Sequence, residues 1–496
     1  MPPGETHTDA APDPRRWRAL GVALVVGFMA LLDVTIVNVA LPSIQRGLEA
    51  SPEGVQWVVS GYALTFGLTL VAGGRLGDVV GRRRMFLVGL AAFTLTSAAA
   101  GAAPSELFIV VARLLQGVAA GLLTPQNTGL VQELFTGAER GRAFGIFGTT
   151  VGVSAATGPI LGGGLLALFG EEQGWRYVFW VNVPVGLVAM LLAARIIPAR
   201  ESRRESLRSQ IDGAGALLLG LSVLSMLLPL VQSMGDPTTP LWFATPLTLV
   251  FGWWFVRWER RLIRQGRPPL LDVRLFTRAP GYSSGISLAT VYFCGFSGLW
   301  LVLALFFQDG LGYTPLESGL AVTPFAAGSA ASAVVAGRLV HRWHRLLTVG
   351  GLCLVTFGFA VLAVVVPLTT PHDTGLVVLG PLLVAGVGAG AVVSPNITLT
   401  LAAVPARMGG AAGGALQTGQ RVGSAVGAAL LAAVFRTTVA ATSRDYGTAV
   451  MATFVCSVVF MLVALGIALY ELRSRRTGRS VWGREEVGED VVAGSG

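Results

Sequence analysis

Residues 17–41 read WRALGVALVVGFMALLDVTIVNVAL, a run whose only charges are Arg18 near its start and Asp33 in its interior. At about 1.5 Å of rise per residue, a helix of this length crosses a hydrocarbon core about 30 Å thick. Arg15, Arg16 and Arg18 imitate the basic head of a secretory signal, but the apolar part outruns the roughly 7–15 residues such a signal uses. The run therefore reads as an uncleaved membrane span. A charge at bilayer depth costs about 2.5–3.5 kcal/mol on insertion scales, so Asp33 needs a partner, a wet cavity or a bound proton. No other long apolar run holds an acid in its interior.

The rest of the chain has the same character. Its 496 residues are 53% hydrophobic and 13% charged, with 65 glycines, against about 25% charged in soluble domains. This is the composition of an all-α polytopic protein of the lipid bilayer. The formal charge of +9 sits mostly in short connections between apolar runs. Membrane orientation explains that placement, and no nucleic-acid partner is expected. The chain has no lysine, which reads as the codon bias of a GC-rich bacterial genome. Cys294, Cys353 and Cys456 lie in apolar runs at unrelated spacings, so neither a disulfide framework nor a metal site is expected.

Runs long enough to cross a membrane fall at about 17–41, 55–75, 84–103, 106–124, 143–168, 177–197, 213–231, 241–258, 283–307, 317–340, 345–367, 375–402, 411–435 and 447–470. That predicts fourteen transmembrane helices. Arginines gather at both ends and in every second connection, which predicts that both termini are cytoplasmic. Gly73-Gly74-Arg75-Leu76 after the second run is echoed by Ala336-Gly337-Arg338-Leu339 after the tenth, each followed by a basic loop. The chain looks doubled. The expected organisation is a tail (1–16), a six-helix half (17–197), a linker with two inserted helices (198–278), a second six-helix half (279–472) and a second tail (473–496). Related halves around a midplane site suit alternating access.

GRLGDVVGRRR, Gly74–Arg84, is the most specific motif. Glycines 74 and 77 permit close helix approach, Asp78 can cap or pair at a helix end, and Gly81 lets the chain turn before Arg82, Arg83 and Arg84. Glu133, at the inner end of the fourth span, is a candidate counter-ion. The plainer alternative is a basic loop that only fixes topology. The motif resembles the signature between the second and third spans of the major facilitator superfamily, where it implies a conformational latch. In the second copy His341 replaces the acid, which predicts a degenerate latch there.

Further segments narrow the resemblance. ARLLQGVAAG (Ala112–Gly121) is similar to the superfamily's buried-arginine motif. GVSAATGPILGG, with Gly152, Gly158, Pro159, Gly162 and Gly163, resembles its antiporter motif. There Pro159 lacks an amide proton and Gly158 a side chain, so the helix can bend and pack closely. LLDVTIVNVALP (Leu31–Pro42) and WRYVFWVNVPVG (Trp175–Gly186) resemble signatures of the fourteen-span drug/proton antiporter branch. The resemblance spans Trp17 to Leu472. It implies two six-helix halves plus two inserted helices, and export of hydrophobic small molecules such as antibiotics from a bacterial cell. The proton gradient would drive that export, with no cofactor. No glycine run follows a strand or ends in Gly-Lys-Ser/Thr, so none is a phosphate loop.

Asp33 lies about 13 Å of helix from the outer end of its span, and Arg113 about 10 Å from the outer end of the fourth, so the two charges are at comparable depth. If they meet, arginine favours the carboxylate, while separation in a dry interior favours the acid. Proton and substrate could then alternate at Asp33. A static ion pair is the competing reading. Asn38, Gln116, Gln126, Asn127 and Arg421 are candidate polar contacts in the cavity, with Arg421 bonded to Gln417 or Gln420 as its plainer role. Trp57, Tyr62, Trp300 and Phe325 could form apolar walls. Because the later spans offer no further acid, a monocationic, neutral or zwitterionic substrate is expected from a protein acting as a monomer. A proton-coupled importer on the same fold is the nearest rival reading. A membrane sensor or enzyme is the rival of another class, disfavoured because no paired carboxylates, metal cluster or nucleophile with a base appear.

Overall fold

The structure, a computed structural model, describes residues 14–170, 172–198, 212–233 and 244–476. Most of both tails, the arginines between 200 and 208 and the 235–239 connection fall outside the described residues, as does the Pro159 side chain. The chain forms long helices with no strand among the described residues. They are α1 (Arg16–Gly47), α2 (Pro52–Val80), α3 (Arg82–Gly101), α4 (Glu106–Leu134), α5 (Gly137–Phe169) and α6 (Gly174–Ile196). Then follow α7 (Gly213–Ser233) and α8 (Thr245–Arg264). The last six are α9 (Tyr282–Gly310), α10 (Pro315–Trp343), α11 (Arg345–Val365), α12 (Asp373–Thr400), α13 (Gly409–Ala441) and α14 (Tyr446–Arg476).

Twelve helices among the described residues are long and apolar enough to cross a membrane. Of the other two, α5 has side chains at 155, 156 and 159 outside the described residues, which leaves Ile160–Phe169 as its continuous described apolar stretch, and α8 carries Arg257, Glu259, Arg260, Arg261 and Arg264 in its second half. A count of fourteen crossings is therefore not established.

The first six helices meet the last six along two seams, α2 against α13 and α5 against α10. Small residues make the seams possible. A Cβ added at Gly141 would come within 2.6 Å of Val340, at Gly145 within 2.9 Å of Ala333, at Gly148 within 3.2 Å of Ser394, and at Gly152 only within 3.6 Å of α10. The α5–α10 seam thus loosens with distance from the arginine-rich end. α7 and α8 pack on each other, and α7 leans on α2 and α13 through Leu64, Val223 and Leu227.

The doubled motif turns twice at equivalent places. Gly81, between α2 and α3, has φ +102°, and the position that matches it between α10 and α11 is His344, with φ +46° and ψ −129°. Glycine adopts such angles without steric cost, whereas a side chain there costs about 1–3 kcal/mol. His344→Gly is therefore expected to raise the melting temperature of the purified protein by a few degrees. An unchanged or lower value in a thermal melt would show that histidine contacts offset the strain.

Candidate functional site

Asp33 is 0% exposed and Arg113 1%, and the structure brings them together. Arg113 Nη1 donates to Asp33 Oδ2 at 2.6 Å and to Gln116 Oε1 at 2.8 Å. Gln116 Nε2 donates to Asp33 Oδ1 at 3.0 Å, and Asn182 Nδ2 to the same oxygen at 3.1 Å. Every group facing the carboxylate is a donor, so the shell fits an ionised acid and offers nothing to accept a proton from a neutral one. Arg113 is itself held from several sides. Its Nε donates to the Val58 carbonyl of α2 at 2.9 Å, and its guanidinium lies 4.1 Å from the Tyr62 ring and 5.6 Å from that of Phe179. Ser97 of α3 accepts from Asn182 and donates to the Phe179 carbonyl. One cluster therefore fastens α1, α2, α3, α4 and α6.

The glycines of α5 seat that helix on α1 beside Asp33. A side chain at Gly158 would run into Thr35, and one at Gly162 would come within 3.1 Å of Ile36. Thr35 Oγ1 also donates to the Ser154 carbonyl at 3.5 Å. Gly152 faces α10 instead, and Gly163 faces open space. Gly158 and Gly162 thus put α1 near Asp33 in direct contact with a helix whose other face forms the seam with α10.

A second polar cluster closes the arginine-rich end. Arg82 Nη2 lies 2.8 Å from Asp78 Oδ1, Arg82 Nε 2.9 Å from Glu133 Oε2, and Nη2 also donates to the Ala406 carbonyl at 2.6 Å. Asp78 accepts from the backbone amides of Gly410 at 3.0 Å and Ala411 at 2.9 Å, the first turn of α13. A carboxylate at a helix N-terminus satisfies amides that lack an internal partner and meets the positive end of the helix dipole. Gly74 packs directly on Gly410. Arg83 departs from the expected set, since it turns away to donate to the Ala194 carbonyl of α6.

The second copy of the motif keeps its arginine and changes its acid. Arg345, at the place of Arg82, pairs with Glu471 of α14 at 2.8 Å, and Glu471 also accepts from Ser284 at 2.6 Å. Arg345 Nη1 donates to Asn396 of α12 at 2.5 Å. Lacking an acid at His341, this copy takes one from Glu471, 126 positions beyond Arg345, and these bonds all lie within the last six helices, in keeping with the expectation of a degenerate second latch. Asp33 is likewise one of several buried acids, with Asp78, Glu259 and Glu471. All three sit at the margins of apolar runs, where Asp78 is marked by its motif and nothing in the sequence separates Glu259 and Glu471 from solvated loop residues.

The other candidates scatter. Asn38 is exposed. Gln126 donates to the Gly73 carbonyl at 2.9 Å and ties α4 to α2, while Asn127 packs against Gly27 of α1. Both are interhelical packing residues, because the face of α4 that carries them is covered. Arg421 of α13 lies with its guanidinium 4.4 Å from the Phe66 ring and, among the described residues, bonds neither Gln417 nor Gln420. Asn182, Ser97 and Tyr62 belong to the Asp33 cluster without having been singled out as its members. Asn182 carried a signal, as a lone amide within WVNVPVG.

A family model described as the Major Facilitator Superfamily matches residues 23–428. The chain is 36% identical over 477 residues to the puromycin resistance protein of Streptomyces alboniger, covering 94% of this chain and 91% of that one. It is 35% identical over 419 residues to the probable actinorhodin transporter of Streptomyces coelicolor, covering 83% and 71%. With the tetracenomycin C resistance and export protein of Streptomyces glaucescens it shares 34% identity over 69% of this chain and 62% of that one. Among solved structures it resembles the human organic anion transporter MFSD10, with TM-score 0.66 and 16% identity over 92% of this chain and all of that one. It also resembles the proton:xylose symporter XylE, with TM-score 0.64 and 15% identity over 92% and 95%. At those identities the two structures speak for the fold alone. With the family model matched over most of its length and relatives above a third identical along nearly all of it, this chain is a transporter of the Major Facilitator Superfamily, not an enzyme.

Proposed function

We propose that the protein is a proton-coupled exporter of apolar small molecules such as antibiotics, working by alternating access in a bacterial cell membrane with both termini cytoplasmic. The observation that carries this reading is the all-donor shell around a fully buried Asp33. Protonating Asp33 removes the charge that holds Arg113 and places a hydrogen where Arg113, Gln116 and Asn182 present only hydrogens, so the cluster has to rearrange. The rearrangement passes from α1 through Thr35 and Ile36 to Gly158 and Gly162 of α5, and from α5 to its seam with α10. The Asp78–Arg82 latch gives the arginine-rich end a closed state, and α5 and α10 diverge away from it. Similarity to resistance and export proteins supports the outward direction of transport.

Asp33→Asn tests the reading. A panel of growth inhibitors applied to a sensitive host expressing wild type identifies an exported compound. In inside-out vesicles, uptake of that compound under an imposed pH gradient is expected to fall in the variant to the level of vesicles without the protein, at equal expression. Undiminished gradient-driven uptake would remove Asp33 from coupling, and wild-type flux in the opposite direction would make the protein an importer.

A further inference from the structure

Among the described residues, one arginine midway along a membrane-spanning helix contacts no acid. Arg82, Arg113 and Arg345, the arginines with buried side chains, each contact a carboxylate. Arg421 is the exception in the interior of the transmembrane region. It lies midway along α13, the helix that packs on both α2 and α9, and its guanidinium touches the Phe66 ring, with no hydrogen bond or ion pair among the described residues. One turn earlier on the same face of α13, Gln417 has a buried Oε1 that also lacks a partner. Gly419 and Gly423, on the opposite face of α13, seat that helix closely against Thr290 of α9. Half-buried beside an aromatic ring, this guanidinium presents a planar fork that suits a carboxylate or another pair of acidic oxygens.

Asp33 cannot be that anion. Its oxygens are already filled by Arg113, Gln116 and Asn182. Between the two arginines stand aromatic rings: Arg113 faces Tyr62 at 4.1 Å, Tyr62 lies 5.8 Å from Phe66, and Phe66 faces Arg421 at 4.4 Å. Two rings away from that neutralised pair, Arg421 contacts no carboxylate among the described residues. We propose that Arg421, with the Phe66 ring beside it, binds the acidic oxygen of an aromatic substrate, so that the exported molecule is an organic anion or an acidic phenol instead of a cation. This deepens the export reading, on which it rests for calling the ligand a substrate. It also separates the two jobs assigned to Asp33, which keeps the proton and leaves the substrate's charge to Arg421.

The test uses full-length protein in nanodiscs and three probes that share one ring system: 1-pyrenecarboxylate, 1-pyrenecarboxamide and 1-pyrenemethylammonium, with binding followed by fluorescence anisotropy. Wild type is expected to prefer the carboxylate. Arg421→Gln should weaken carboxylate binding about tenfold or more, the scale of a lost charged hydrogen bond, and leave carboxamide binding nearly unchanged. Arg421→Glu should turn the preference toward the ammonium, and retained carboxamide binding certifies that both variants are folded. Preference of wild type for the ammonium, no binding of the carboxylate, or carboxylate affinity unaffected by Arg421→Gln would each overturn the proposal. Because binding is read without a gradient, loss of proton-driven transport in a separate vesicle assay would count against the export reading and not against this one.

Discussion

Replacing Arg113 with alanine is expected to destabilise the protein by about 3–5 kcal/mol, the usual consequence of leaving one member of a buried ion pair alone. The geometry makes this the most damaging single truncation in the first six helices. Asp33 would lose its 2.6 Å partner at 0% exposure, the Val58 carbonyl would lose a donor, and the Tyr62 ring would lose the cation stacked on it. A double variant, Asp33→Asn with Arg113→Gln, removes both charges and leaves amides of similar size that can bond each other. It should recover most of the stability while remaining unable to couple transport to protons. Thermal melts in detergent measure the first effect and gradient-driven uptake the second. If Arg113→Ala melted like wild type, the cluster would be wetter than its burial indicates.

At Gly74 the expected result concerns the equilibrium between conformations. A methyl group there would collide with the Gly410 carbonyl, main chain against main chain, with no flexible side chain to give way. Overpacking of this kind costs about 1–3 kcal/mol. If the alternating access proposed above parts these two glycines in the open form, Gly74→Ala should cut the closed population about 5- to 150-fold relative to the open one, and Gly74→Leu further. Spin labels at Ala138 and Ala402, both exposed near the arginine-rich end, would report the shift as a longer distance in a background lacking Cys294, Cys353 and Cys456. An unchanged distance distribution would mean that α2 and α13 slide past the added methyl without parting.

What the amino-acid sequence discloses here follows from energetic cost. Asp33 and Arg113 stand out because a charge in an apolar run is expensive wherever that run folds, and GRLGDVVGRRR stands out because glycine, acid and arginine fall where a turn between two spans requires them. Polar amides carry no such mark. Asn38 and Asn182 occupy comparable apolar settings, yet one is exposed and the other bonds Asp33. The face each presents is decided by neighbouring helices. Gln126 and Asn127 mislead for the same reason. Arg345 and Glu471 are illegible as a pair, since each sits at the edge of an apolar run and they are joined only by the packing of α11 on α14. The count of crossings is left open at α8, whose apolar part gives way to five charges within one helix.

The grip of Asp78 on α13 has a consequence for how this contact can vary. What Asp78 recognises is the main chain of residues 410 and 411, so the partner strand of the contact is encoded by no particular side chain. Such a contact asks for no particular polar side chain across from Asp78: position 410 must be small and keep its amide hydrogen, and position 411, buried among apolar neighbours, must be a small residue other than proline. Half of this interface is therefore inherited as backbone geometry, specified by amide hydrogens and close packing and not by the chemistry of any side chain on α13.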